Sequence, residues 1–106
     1  MNTASAQSTS AEAENARQMI FAGDYLNKLS GEKLEYECRR LIDQGCEEIE
    51  VNFSHTEMVN SIGISILLGI IDIAARNNAR VVFSDVANDK VELFDMLGLT
   101  KHVTLA

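Results

Sequence analysis

Few side chains in this sequence carry the chemistry of a catalyst. Histidine occurs twice, at His55 and His102, and cysteine twice, at Cys38 and Cys46. Neither histidine stands at zinc-site spacing from a cysteine or carboxylate cluster, and the cysteines form no C-x-x-C pair. Cys38 falls on an apolar helical stripe, where a thiol serves as a small hydrophobe. Glu47, Glu48 and Glu50 cluster at the start of a strand-like run, a pattern of solvated charge rather than of an acid poised beside a base. Gly63 and Gly69 lie within one helical segment and no lysine follows in the required place, so neither a P-loop nor a G-x-G-x-x-G fingerprint is present. No catalytic set, no metal and no nucleotide cofactor are therefore expected. A phospho-aspartate receiver would need an acceptor aspartate after a central strand, and the run Val51-Asn52-Phe53 leads into Ser54-His55-Thr56 instead.

Ser61 offers a different opportunity. It opens a long helical segment, so its hydroxyl can cap the helix by accepting a backbone N–H bond worth about 1 kcal/mol. A phosphate at the same place would sit at the positive end of the helix dipole, beside free amides, while adding roughly 1.5 to 2 negative charges. Such a group is accommodated by the fold and disrupts a docked partner.

The elements that must position Ser61 follow from composition and periodicity. The chain has 106 residues, 46% of them apolar and 24% charged, enough for one hydrophobic core. Sixteen acidic against nine basic residues give a formal net charge of −7, which repels nucleic acid. Residues 1–14 are almost all Ala, Ser, Thr, Glu, Asn and Gln, which predicts a flexible tail ahead of a single domain over 15–106. Ala11 to Gln18 could add a frayed helical turn. The N-terminus has no basic start followed by an apolar core, and the longest apolar stretch, Ile62 to Ala75, is broken by Ser65, Gly69 and Asp72. That stretch is well short of the roughly 20 residues that span a bilayer. No membrane anchor and a cytoplasmic location with reduced thiols are expected.

Arg17 to Phe21 reads as a strand ending in a turn at Ala22-Gly23-Asp24. A helix follows, with Ser30 as its N-cap, Leu34, Cys38, Leu41 and Ile42 along one face, and Gly45 as a left-handed stop. Glu48 to Phe53 alternates without a slip, placing Ile49, Val51 and Phe53 on one face of a strand. Ser61 to Arg76 is a helix whose first half is apolar nearly all round, so it is buried on several sides or presents apolar surface to a partner. After Asn77-Asn78 come a strand over Arg80 to Ser84, a turn, and a helix capped by Asn88 or Asp89. Val91, Phe94 and Leu97 form the apolar face of that helix, Gly98 ends it, and Leu99 packs back. Val103 to Leu105 is a last short strand. Strands alternating with helices predict an α/β class, with helices packed on a small mixed β-sheet.

The stretch Met58-Val59-Asn60-Ser61-Ile62-Gly63-Ile64-Ser65-Ile66-Leu67, set between a strand and a helix, resembles the signature of the STAS domains of bacterial anti-sigma factor antagonists. There an Asp-Ser-x-Gly segment opens a helix and its serine is phosphorylated. Val91 to Leu99 is similar to the same family's closing helix, and Gly23-Asp24-Tyr25-Leu26 to its Gly-x-Leu-Asp turn. The resemblance implies a STAS-like fold over about residues 17–105 and a domain that binds proteins rather than catalysing a reaction. It implies phosphorylation at Ser61 and partner contacts from Asp24, Tyr25, Asn60, Ser61, Ile62, Gly63 and Ser65. The implied partners are an anti-sigma factor that is also a serine kinase, bound when Ser61 is unphosphorylated so that a sigma factor is released, and a phosphatase that resets the switch. Neither nucleic acid nor membrane is among them. The alternative within the same family is a constitutive adaptor subunit of a lipid-transport or signalling complex, in which Ser61 is only a cap. Two departures stand out: Asn60 replaces the usual aspartate, and the polar tail stands where relatives have a first edge strand.

Overall fold

The computed structural model describes residues 17–106. The tail expected over 1–14 lies outside the described residues, and of the helical turn expected over 11–18 only Arg17 and Gln18 are described, both in a strand. The elements run β1 (Arg17–Phe21), β2 (Tyr25–Leu26), α1 (Lys28–Asp43), β3 (Glu48–Asn52), β4 (Met58–Val59), α2 (Ser61–Arg76), β5 (Arg80–Ser84), α3 (Asn88–Met96), a 3₁₀ turn (Leu99–Lys101) and β6 (Thr104–Leu105).

The main sheet has the order β1-β3-β5-β6, and β2 and β4 form a separate two-stranded ladder. Every pairing among the described strands is parallel, where the sequence suggested a mixed sheet. The reason is that each step from one strand of the main sheet to the next passes through a helix, which carries the chain back to the end from which it started. Each new strand is added on the same side, so right-handed crossovers bring α1, α2 and α3 to one face. The α/β class holds.

The alternation in β3 shows which face that is. Ile49, Val51 and the following Phe53 are buried beneath the helices, together with Leu67 and Ile70 of α2. Phe53, Phe83 and Phe94 meet edge to face with centroids 4.9–5.5 Å apart, which locks α3 onto β3 and β5. On the opposite face Arg17, Glu48 and Arg80 lie in register across three strands. Glu48 holds Arg17 at 3.1 Å and Arg80 at 3.3 Å, and Arg17 also reaches Glu50 at 3.4 Å. Those glutamates are therefore rungs of a cross-strand charge ladder.

The helices follow the predicted stripes but not all of the predicted ends. Leu34, Cys38 and Leu41 of α1 are buried, and Gly45 takes the left-handed stop at φ 90°. Burial pushes the Cys38 thiol up to about 12, the state of a packing group rather than a nucleophile. The N-cap of α1 is Asn27, not Ser30. In α3 the cap position is Ala87, with no side-chain bond, and Asn88 and Asp89 lie inside the helix. Phe94 is fully buried, but Leu97 is 48% exposed and Leu93 takes the expected place on the core. The helix stops at Met96, so Leu97 falls beyond its phase. Gly98, at φ 83°, then turns the chain so that Leu99 points inward with no exposed surface.

Candidate functional site

The site begins where β1 ends. Gly23 turns the chain at φ 94°, and the next residues lie against the loop after β3. The Thr56 hydroxyl donates to the Gly23 carbonyl at 2.7 Å, and the Glu57 amide donates to the Asp24 carbonyl at 2.7 Å. Tyr25 and Leu26 then pair with Met58 and Val59, and the Asn60 amide donates to the Leu26 carbonyl at 3.0 Å. Two segments more than thirty residues apart are thus stitched together at the start of α2. Leu26 is the anchor, with 1% of its surface exposed. Neither β2 nor β4 was anticipated as a strand, because two residues are too few to show a period.

That ladder holds Asn60 in extended backbone, at φ −91° and ψ 176°, the conformation of an N-cap. Its Oδ1 accepts from the Gly63 amide at 2.8 Å and its carbonyl from the Ile64 amide at 3.0 Å. Asn60 therefore caps α2, and the capping role anticipated for Ser61 is already filled. Ser61 occupies the first helical position, is exposed, and its hydroxyl makes no hydrogen bond among the described residues.

The other candidate residues divide by burial. Asp24, Tyr25, Asn60, Ile62 and Ser65 are exposed around Ser61, Ile62 and Tyr25 each about half exposed. Gly63, by contrast, is buried against the backbone of Leu26. A Cβ there would lie 3.0 Å from the Leu26 carbonyl carbon and nearer still to its oxygen. Its missing side chain lets α2 approach the β2 backbone. Ile64 points into the core.

Two residues join the surface that sequence reasoning did not single out. Met58 is 59% exposed beside Tyr25 on the small ladder, and Glu57 accepts from the Tyr25 hydroxyl at 3.2 Å. The negative charge of Glu57 raises the phenol above its ordinary value. The one available signal was Met58-Val59, an apolar pair in a polar loop.

The result is an exposed patch: an unengaged serine hydroxyl at a helix start, half-exposed apolar side chains of Tyr25, Met58 and Ile62 near it, and the carboxylates of Asp24 and Glu57 on the adjoining segments. Among the described residues no three of His, Cys, Asp and Glu converge as metal ligands, and the His55 ring meets Phe21 at a tilt of 40° with centroids 5.5 Å apart. No helix among them is long and apolar enough to cross a membrane.

Comparison with known proteins agrees with the fold. The structure is similar to that of the anti-sigma factor antagonist SpoIIAA in its unphosphorylated form, with a TM-score of 0.70 and 16% identity over 87% of this chain and 80% of that one. It is similar also to SpoIIAA, described as a Bacillus cell fate determinant, in its phosphorylated form, with a TM-score of 0.68 and 19% identity over 87% and 84%. No curated protein matches the sequence. The sequence pattern of the STAS domain matches residues 15–106, so the chain belongs to the STAS domain family.

Proposed function

We propose that this domain is a phosphorylation-gated protein-binding module that acts as an anti-sigma factor antagonist in the cytoplasm. Unphosphorylated, it docks on an anti-sigma factor that is also a serine kinase, and the sigma factor is released. Phosphorylation of Ser61 ends the docking and a phosphatase restores it. The observation that carries this reading is the division of labour at the start of α2: Asn60 caps the helix, leaving the Ser61 hydroxyl exposed and unengaged. The likeness to SpoIIAA solved with and without phosphate supports it.

The chemistry is consistent at each step. The amides of Ser61 and Ile62 belong to the first turn of α2, where no intrahelical acceptor exists, and they meet a phosphate on Ser61 at the positive end of the dipole. Neutral Asn60 sets no charge against that phosphate, where aspartate would. The same phosphate stands among Tyr25, Met58 and Ile62, where a partner's apolar surface would have to desolvate it, a cost of several kcal/mol.

The test is direct. Affinity capture from the host on the immobilised wild-type domain supplies the partner, and incubation with that partner and ATP should add one phosphate to the wild type and none to Ser61→Ala, read by intact mass. Ser61→Asp should bind the captured partner at least tenfold more weakly while Ser61→Ala binds as wild type, read by calorimetry. Unchanged binding by Ser61→Asp, with no phosphate acquired, would favour the constitutive adaptor.

A further inference from the structure

The other end of α2 carries a second feature. Strand β6 pairs only with Val82 and Phe83, so among the described strands none lies beside Arg80 and Val81, the first residues of β5, on that side. The gap is a groove of about 360 Å³, within the size range of small-molecule sites. Its floor is apolar, formed by Ile71 and Ala75 of α2 and by Val103. Lys101 and His102 border it, Arg80 contributes to its wall while its guanidinium turns to Glu48, and no carboxylate among the described residues lines it.

This concentration of positive groups is unusual on a chain of net charge −7. Glu48 already holds Arg80 at 3.3 Å from the outer face of the sheet. Lys101 and His102 have no hydrogen-bond or ion-pair partner for their side chains among the described residues. Their backbone is nevertheless fixed, since the Lys101 amide donates to the Gly98 carbonyl at 3.4 Å and the His102 amide to the Leu99 carbonyl at 3.0 Å. The fully buried Leu99 pins this turn to the core. Two side chains with unengaged nitrogen donors thus stand on a fixed turn that borders an apolar trough.

We propose that this groove binds a small amphipathic anion, a monocarboxylate with an aliphatic body. The chain lies along Ile71, Ala75 and Val103, and the carboxylate meets the Lys101 ammonium, with His102 beside it. Apolar burial supplies affinity, and the charged head fixes orientation. The groove lies at the far end of a sixteen-residue helix from Ser61, so this inference stands apart from the switch.

Sodium octanoate, below its micellar concentration, is the probe, titrated into the full chain and followed by backbone amide shifts. The expected result is a saturable shift centred on Ile71 and Val103. Lys101→Gln should weaken the binding at least fivefold, and Ala75→Phe, at an exposed position whose new ring fills the trough, should abolish it. Acetate, which lacks the body, and octanol, which lacks the charge, should each bind at least tenfold more weakly than octanoate. The proposal is overturned if octanoate gives no saturable shift there, if the shift survives both substitutions unchanged, or if octanol binds as tightly as octanoate.

Discussion

Helices α1 and α2 begin almost alike and are put to different uses. Each has an asparagine cap followed within three residues by a serine, and each has a glycine in its first turn or just beyond it. At α1 the serine is Ser30, at the third helical position, and its hydroxyl is fully engaged: it accepts from the Asn27 amide at 3.0 Å and donates to the Tyr25 carbonyl. The Ser30 amide returns a bond to the Asn27 side chain at 3.1 Å, closing a capping box. At α2 the serine is Ser61, at the first position, and its hydroxyl holds nothing. A serine two positions nearer the cap is thereby freed from structure, and only the freed one is available to an outside reagent.

The glycines sharpen the contrast and give the largest expected effect. A Cβ on Gly63 would run into the backbone of Leu26, which the β2–β4 ladder cannot release, whereas a Cβ on Gly31 would meet only the side chain of Ile66, closely at its terminal methyl (2.6 Å) and at ordinary contact distance at its Cβ and Cγ1 (3.4 and 3.5 Å). Gly63→Ala should cost about 2–3 kcal/mol, as overpacking against rigid backbone does. Gly31→Ala should be near neutral, because Ile66 can turn away and the helix gains about 1 kcal/mol in propensity. Urea denaturation of the two variants decides the matter, and equal costs would mean that the α2 approach to β2 is no tighter than the α1–α2 contact.

Much of this was legible in the sequence, and the failures have one physical source. The inward face of β3 comes from its alternation, the bounds of α2 from an apolar run too long for a strand, and those of β5 from a short apolar run between turns. Cap positions depend on one residue's backbone, and at both helices two eligible residues compete. Asn27 and Ser30 both suit a cap, and the apolar stripe from Leu34 onward does not say how many turns precede it. Asn60 and Ser61 are likewise both good caps. What selects Asn60 is the bond from its amide to the Leu26 carbonyl, a contact across more than thirty residues made by strands too short to anticipate. The same ladder made Met58 and Glu57 neighbours of Tyr25. The face of α3 went astray for a similar reason, since Leu97 keeps the helical spacing after the helix itself has ended.

The next effect in size is at the caps. Asn27→Ala and Asn60→Ala each remove a side-chain acceptor from a helix start, which typically costs about 1 kcal/mol. Asn27→Ala should be the more costly, because it also removes its half of a reciprocal box. Asn60→Asp keeps the acceptor, favours the dipole and restores the family's residue, so it should match or exceed the wild type in thermal midpoint. If Asn60→Ala proved silent, the cap would lie elsewhere and Ser61 would be the candidate to hold it.

The smallest effect carries the most weight. Ser61→Ala should change stability by no more than about 0.5 kcal/mol, the range of surface substitutions that break no specific contact. Ser30→Ala should cost about 1 kcal/mol, because it strands the Asn27 amide and the Tyr25 carbonyl at once. Ser61→Asp should fold at least as stably as the wild type, since a carboxylate in the first turn gains roughly 0.3–1 kcal/mol from the dipole at low salt. That gain should shrink in high salt, which separates a dipole effect from a change in packing. Denaturation of the three variants beside the wild type, at two salt concentrations, measures all of this without any partner. Were Ser61→Ala to cost as much as Ser30→Ala, the Ser61 hydroxyl would be a structural group after all. A phosphate there would then damage the helix as well as the docking surface, and a clean switch could not be built on it.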